Sequence, residues 1–437
     1  MCDTLIALSD ATSTDANLFA KNSDRPPNEA QLLDWIPGGE FQAGQKVRCT
    51  YIEIPQSQQT HSVLLSRPFW MWGAEMGINQ HGLAVGNEAI FSKIPANKQP
   101  ALLGMDLLRL GLERARTAPQ AVEVITSLLE EYGQGGKHIL EGHSYYHNSF
   151  LVSDPRESWV LETVDRHWAA KQVGPVYSIS NLLSLESEWD LSSDGLEEYI
   201  LKHGLAKSRE KINLTGNFSD LIVTTFADGK HRCARSREKL KGDQGKHTVQ
   251  TLAAILRDHG NSTDPRPGLS GADICMHASL GPIRVSQTTG SLIAALEADS
   301  PLVFATGTAA PCTGIFKPFW VDVPLDQGKL PGGQYEPETL YWSHERLHRE
   351  VLRNYPERLA SYREERDSLE EEFISGAIAV HGGSHSERKA YSASCLAQAA
   401  EAERRWLAAV LEIPPKPIFL HDLAWKGFNK KAQLQTY

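Results

Sequence analysis

Cys2 is the residue around which the chemistry of this sequence can be organised. An aminopeptidase removes an initiator methionine when the second residue is small, so the trimmed chain would begin with this cysteine. A terminal cysteine joins a thiol of ordinary pKa about 8.5 to an α-amine of about 7.7–8.0. Near neutral pH much of that amine is unprotonated, so it can take the thiol proton directly or through water, with no histidine needed. Downstream, in FAKNSDRPPNEAQ, Lys21 and Asp24 stand three apart after a short strand-like run. A hairpin folds them back onto Cys2. There Asp24 can hold the α-amino group by a charge-assisted hydrogen bond, and Lys21 can favour the thiolate.

Other residue groupings have competing, plainer readings. SRPFWMWGAEMG carries Phe69, Trp70 and Trp72; Trp70 and Trp72 could line a substrate pocket or simply fill a core. The pairs His143/His147 and His381/His385 have the spacing of metal ligands on one helical face, but no HExxH or cysteine pattern accompanies them. GQGGK, from Gly133, lacks the spacing of a phosphate-binding loop and reads as the stop of a helix. The six cysteines, Cys2, Cys49, Cys233, Cys275, Cys312 and Cys395, are scattered and form no CxxC. They are expected to be reduced thiols, with neither a disulfide framework nor a zinc ribbon, and no metal or cofactor is expected.

The elements that must position these residues can be read in outline. From Met1 to about Ser92, short apolar runs (TLIAL, NLFA, CTYIEI, GLAVG) separated by Asp, Asn, Gly and Pro predict a sheet that begins at the second residue. Between Ala101 and Gly133 the period becomes helical, with Met105, Leu108 and Leu112 on one face, then Val122, Ile125 and Leu129: two helices. NSFLVSD, SWVLETV, WAAKQV and VYSIS alternate as half-buried antiparallel strands up to about Asn181. A helix is expected near Val249 to Leu256, ending at Asp258-His259-Gly260, with strand-like pieces around Ile274, Thr289 and Val303. Two segments, about Glu336 to Phe373 and Glu387 to Leu411, are rich in Glu, Arg, Leu and Ala with an HGGSH break between, which predicts a C-terminal helical hairpin.

The chain has 437 residues, ample for a large core, and its 41% hydrophobic and 22% charged residues exclude disordered and coiled-coil classes. Forty-four basic against 54 acidic residues leave a net charge of −10, the wrong sign for a nucleic-acid-binding face. MCDTLIALSD has neither the basic nor the long apolar part of a secretory signal, and no 18-residue apolar run occurs. A cytoplasmic protein with no membrane span is expected, homo-oligomerisation being left open.

An early cysteine, a KNSDRPxNE-like loop, SRPFWMWGAEMGINQHGLAVGNEAIFS, LLGMDLLRLGLERA and SLLEEYGQGG together resemble a secernin. SWVLET, the CMH at Cys275 to His277 with TTGS, and PCTGIFKPF extend the resemblance from Cys2 to about Phe319. Secernins group with cysteine dipeptidases and, more remotely, choloylglycine hydrolases and penicillin V acylases, which are N-terminal-nucleophile (Ntn) hydrolases. The resemblance therefore implies an α+β fold, a four-layer αββα sandwich over residues 1–330, with residues 331–437 as the helical extension packed on it. It implies Cys2 as nucleophile, Asp24 as the acid holding its amine, and Asn87 and Asn181 as the amides that polarise the scissile carbonyl and orient the amine. An arginine is expected after the second strand block; Arg232 is favoured, with Arg235 close behind as a substrate-side alternative, and Arg237 third. Lys21 stands where the acylases carry Arg, which keeps a point charge and loses the planar fork. The activity implied is hydrolysis of a small peptide or acyl-amide through a thioester. The alternatives are acyltransfer from the same thioester, a catalytically inactive regulatory protein of the kind linked to exocytosis, and a metal-dependent hydrolase using the histidine pairs.

Overall fold

The computed structural model describes residues 1–220, 228–267, 272–281 and 284–435. Two antiparallel sheets lie face to face. The first has six strands: β1 (Cys2–Ala7), β2 (Asn17–Arg25), β10 (Val176–Ile179), β12 (Gln287–Leu296), β13 (Leu302–Ala305) and β14 (Lys317–Trp320), in the order β10-β1-β2-β12-β13-β14. The second has eight: β3 (Gln31–Ile36), β4 (Val63–Pro68), β5 (Met76–Asn79), β6 (Ala84–Ile90), β7 (His147–Ser153), β8 (Ser158–Val164), β9 (His167–Val173) and β11 (Leu191–Ser192), in the order β11-β9-β8-β7-β6-β5-β4-β3.

Strand alternation separates the layers. On β1 and β2, Ile6 and Phe19 enter the core between the sheets with Ile78, Leu151 and Leu292, whereas their neighbours Leu5, Leu18 and Ala20 pack outward. That outward core is closed by α3 (Gly229–Gly242), α4 (Val249–Leu256) and α6 (Arg363–Val380), through Leu240, Leu252, Leu256 and Ile374. On the other side α1 (Gly104–Arg114) and α2 (Ala118–Tyr132) cover Val85, Phe150 and Leu161 of the eight-stranded sheet. The result is the expected αββα sandwich.

The helical region between Ala101 and Gly133 divides where Thr117 caps α2 by accepting from the Gln120 amide, and Gly133 ends it with φ 71°. Other expectations need correction. Ile274 lies in irregular chain, and CTYIEI turns at Cys49–Ile52 inside a short hairpin. The C-terminal arms are more broken than a hairpin: α5 (Leu340–Val351), a one-and-a-half-turn helix at Tyr355–Ala360, α6, α7 (His385–Glu412) and a further α8 (Phe419–Ala432). Pro356, in the first turn of the short helix, forbids continuation from α5, and Ser384 with Glu387 forms the capping box that starts α7. These helices build their own core of Leu347, Tyr362, Phe373, Ala399 and Trp406 against Cys275 and Cys312. Among the described residues no helix is long and apolar enough to cross a membrane.

Gly86 of β6 faces the first sheet at close range. A methyl group there would meet the Lys21 Cδ at 2.7 Å and both Phe19 Cζ and Thr4 Oγ1 at 3.0 Å. Gly86→Ala is expected to destabilise the fold by about 1–3 kcal/mol through overpacking. Urea unfolding checks this, and an unchanged midpoint would contradict the close contact.

Candidate active site

The first strand starts at Cys2, so this residue's backbone is ordered by β-pairing with Ser23. The Cys2 N–H donates to Asn181 Oδ1 at 2.7 Å. Its carbonyl accepts from Arg232 Nη1 at 2.9 Å and from the Ser180 hydroxyl at 3.3 Å. Its sulfur accepts from the Asp24 backbone N–H at 3.3 Å and lies 4.0 Å from Glu75 Oε2. Cys2 is only 5% exposed, with half-buried Met1 ahead of it. The Met1 ammonium donates to the Asp24 carbonyl at 3.2 Å.

Arg232 ties the groups around Cys2 together. It projects from α3, is fully buried, forms an ion pair with Asp3, and donates from Nη2 to the same Asn181 Oδ1 at 2.8 Å. Asn181 in turn donates from Nδ2 to the Ala89 carbonyl at 2.9 Å. One amide oxygen thus receives both the Cys2 nitrogen and the guanidinium, so Asn181 orients the chain end while its donor side is occupied.

Of the three arginines, only Arg232 bonds Cys2. Arg235 is drawn to Asp258 and the Gly260 carbonyl (2.8 Å), away from Cys2. Arg237 lies over the Tyr177 ring, 4.5 Å from its centroid, and donates to the Ser178 carbonyl. On a helix, positions 232 and 235 share a face and 237 leaves from another, so tertiary packing alone selects Arg232 over Arg235.

Lys21 enters from β2. Its ammonium donates to the Asn87 carbonyl at 2.8 Å and pairs with Glu88 at 3.0 Å, both partners being fully buried. Burial works against its charge, yet the Cys2 thiol and Glu88 outweigh it and hold Lys21 above the ordinary lysine value. Burial pushes the Cys2 thiol up to about 12, against the opposing field of Lys21.

Asp24 meets the chain end through its backbone, its N–H donating to the Cys2 sulfur at 3.3 Å and its carbonyl accepting from Met1 at 3.2 Å. Its Oδ1 accepts from Thr288 at 2.7 Å, while Oδ2 is buried with no hydrogen-bond partner; Asn181, not the Asp24 carboxylate, accepts from the Cys2 nitrogen in the Met1-bearing chain. The Asp24 side chain leaves the face of the paired strands opposite to the Cys2 thiol. Thr288 reaches Asp24 at the irregularity between Thr288 and Gly290, where β12 shifts register against β2. Burial raises the Asp24 carboxyl to about 6, opposed by the N-terminal ammonium and Arg232.

Asn87 sits on β6 with its Nδ2 directed at Met105 Sδ (3.3 Å) and Asn148 Oδ1 (3.1 Å), its own Oδ1 being buried without a hydrogen-bond partner. Trp70 is half-buried against Met71, Leu103 and Met105, so it packs beside the sulfur that Asn87 meets. Trp72 does not join this group. Its ring lies under the Arg109 guanidinium, 4.0 Å from the centroid, and packs half-buried against the α1/α2 layer, the plainer of its two expected places.

Sequence reasoning missed three buried acids. Glu88 neutralises Lys21; Glu75 pairs with Arg25 at 3.1 Å, and Arg25 also binds Glu29 at 2.6 Å, to which Trp70 Nε1 donates at 3.0 Å. The available signal was proximity in sequence: Glu88 follows Asn87 and Glu75 lies in the Trp-rich segment. The two histidine pairs remain apart from any cluster of three or more ligands among the described residues. His147 bonds Ser92, His381 bonds Trp320 and Glu297, and His385 bonds Asp322. One such cluster does exist, made of His259, Cys275, His277 and Cys312.

With this geometry in place, comparison with known proteins bears on its interpretation. Residues 72–235 match peptidase family C69. The segment covers somewhat more than a third of the chain and includes Asn87, Asn181, Arg232 and Arg235, whereas Cys2, Lys21 and Asp24 precede it. A dipeptidase from Bifidobacterium longum is 24% identical over 197 residues, 39% of this chain. The match spans 35% of that relative's length. Among solved structures, a variant of conjugated bile acid hydrolase from Clostridium perfringens aligns at TM-score 0.44 and 13% identity, covering 74% of this chain and 93% of that one. An N-acylethanolamine-hydrolyzing acid amidase orthologue from Caenorhabditis elegans aligns at TM-score 0.35 and 11% identity, covering 67% and 92%.

Two stability predictions come from these buried charges. Lys21→Met or Glu88→Gln alone leaves the other partner buried and uncompensated, an expected loss of about 3–5 kcal/mol each. The double variant should lose less than the sum of the single losses by about 2 kcal/mol or more in denaturant titrations; strict additivity would contradict the pairing. For Asp24, the folded carboxyl at about 6 lies above its ordinary unfolded value of about 3.9. Folding therefore favours the protonated acid, a contribution complete below about pH 4 and lost as pH rises through about 6. Asp24→Asn should gain thermal stability relative to the parent between about pH 4 and about pH 7. Melting scans at the two ends check the growth of that difference.

Proposed function

We propose that this chain is an amide hydrolase of the N-terminal-nucleophile type, with Cys2 acting on a small peptide or acyl-amide once Met1 is removed. The observation that carries the reading is the bonding at Cys2: nitrogen, carbonyl and sulfur are each held by buried polar groups at the start of a central strand. These bonds hold the Cys2 backbone and sulfur in one position, as attack on a carbonyl requires. The match to peptidase family C69 and to a dipeptidase supports the amide as the bond attacked.

Removing Met1 turns the Cys2 amide into an α-amine with further hydrogens to donate, and the unpartnered Asp24 Oδ2 is a buried acceptor for the new ammonium. The N-terminal charge already lowers the Cys2 thiol, and one residue closer it acts more strongly. The neutral amine takes the thiol proton as sulfur attacks the carbonyl carbon. Collapse of the tetrahedral adduct breaks the C–N bond, and the amine product leaves with that proton. Water, giving a proton to the α-amine, then attacks the thioester, releasing the acid and returning the thiol. Asn87 Nδ2, whose Met105 partner is a weak acceptor, is assigned as oxyanion donor, and Arg232 with Asn181 positions the chain end. Capture of the same thioester by an amine would give acyltransfer.

Intact-mass analysis of purified protein should find Met1 absent. Cys2→Ala keeps a small second residue, so trimming continues, and turnover of a dipeptide and N-acyl-amino-acid library should fall by about 10³-fold or more. Retained Met1 together with unchanged turnover in Cys2→Ala would overturn the mechanism and leave a non-enzymatic role.

A further inference from the structure

The cluster of His259, Cys275, His277 and Cys312 lies outside the reaction described above. His259 follows the end of α4. The Cys275 N–H donates to the Asp258 carbonyl at 3.0 Å, which brings the Cys-Met-His turn alongside. Cys312 comes from the turn before β14, its carbonyl held by Arg366 of α6. Three loops distant in sequence thus deliver two thiols and two imidazoles to one point.

The distances converge on His277 Nε2. It lies 3.0 Å from His259 Nε2, 3.3 Å from Cys312 Sγ and 3.6 Å from Cys275 Sγ, and the four atoms all fall within 4.8 Å of one another. One ring nitrogen has either a single hydrogen or a single lone pair, so it can satisfy one of these neighbours and not three. A cation at the centre satisfies all four at once. Zinc bonds of about 2.0–2.1 Å to nitrogen and about 2.3 Å to sulfur give tetrahedral edges of about 3.3 Å between nitrogens and about 3.6 Å between nitrogen and sulfur. The observed separations lie close to those edges. Cys275, His277 and Cys312 are buried and His259 half-buried. The Tyr355 hydroxyl stands 3.4 Å from His259 Nδ1, a contact that leaves Nε2 facing the centre. A cleft lined by Arg257, His259, Cys312, Tyr355 and Arg366 gives a route in from solvent.

We propose that His259 Nε2, Cys275 Sγ, His277 Nε2 and Cys312 Sγ bind one zinc ion in a closed tetrahedral site. Both thiols release their protons to solvent on binding, so two thiolates neutralise the dication. Four protein ligands leave no open position for substrate, which makes the ion structural. It pins the Cys275–His277 turn to the chain after α4 and to the turn before β14. Between the pinned ligands, the Met276 N–H donates to Thr288 Oγ1 at 2.9 Å, and that hydroxyl donates to Asp24 at 2.7 Å. The ion thus fixes the outer support of the candidate active site.

The test is metal analysis of the full chain purified without an affinity metal. About one zinc per chain is expected. Titration of the native protein with an organomercurial should release zinc in step with thiol modification. Cys275→Ser and Cys312→Ser should each lose the metal. If those variants fail to fold, the parent chain decides: stripped of zinc and given cobalt(II), it should develop thiolate-to-metal charge-transfer absorption and strong tetrahedral d–d bands. Substoichiometric zinc with no such cobalt spectrum overturns the site. So does a Cys275–Cys312 disulfide in the unreduced protein, or full zinc occupancy in a folded Cys275→Ser variant.

Discussion

The bridge formed by Arg232 is the constraint on which the rest of the site depends. A fully buried guanidinium joins Asp3, the Cys2 carbonyl and Asn181 Oδ1, linking β1, the chain after β10 and helix α3. A charge buried this deeply is tolerated only when its donors are met. Arg232 meets that demand largely through the first three residues of the chain, so the same bonds that satisfy it also hold Cys2 in place. Chain ends are ordinarily the least ordered part of a domain. Here the end is paired into a central strand and clamped by a group that cannot be left alone.

A second layer of charge surrounds this clamp. Lys21 and Glu88 cross the gap between the sheets where Gly86 removes any side chain, and Arg25 gathers Glu29 and Glu75 near the sulfur. Burial raises the thiol while Lys21 and the N-terminal charge oppose it, so the proton on Cys2 is held according to which charges approach it. Met1 therefore acts as more than a leading residue. It carries the N-terminal charge one residue away from where the proposed chemistry needs it, and it is half-buried with its ammonium on the Asp24 carbonyl.

The C-terminal helices complete the outer layer. Their core meets the loops that carry Cys275 and Cys312, and through Met276 and Thr288 that contact reaches Asp24. Support for the acid beside Cys2 thus comes from chain more than 250 residues away in sequence, since Thr288 and Asp24 are separated by 264 positions.

The sequence by itself determined the layers and the place of Cys2 at the start of the first strand. Apolar alternation in β1, β2, β7 and β8 and the 3.6 period of α1 and α2 are local, and the place of Cys2 beside Met1 is a fact of covalent order. Motif resemblance also brought Asp24, Asn87 and Asn181 forward. Only the tertiary structure chose Arg232 over Arg235, moved Trp72 into a helix layer, gave the Cys2 nitrogen to Asn181, and gathered His259, Cys275, His277 and Cys312 from a span of chain with no CxxC to mark them. The physical reason is common to all four. Periodicity tells which face a side chain leaves from, but a hydrogen bond or a ligand cluster depends on distances between segments remote in the chain, and those are fixed only when the layers pack.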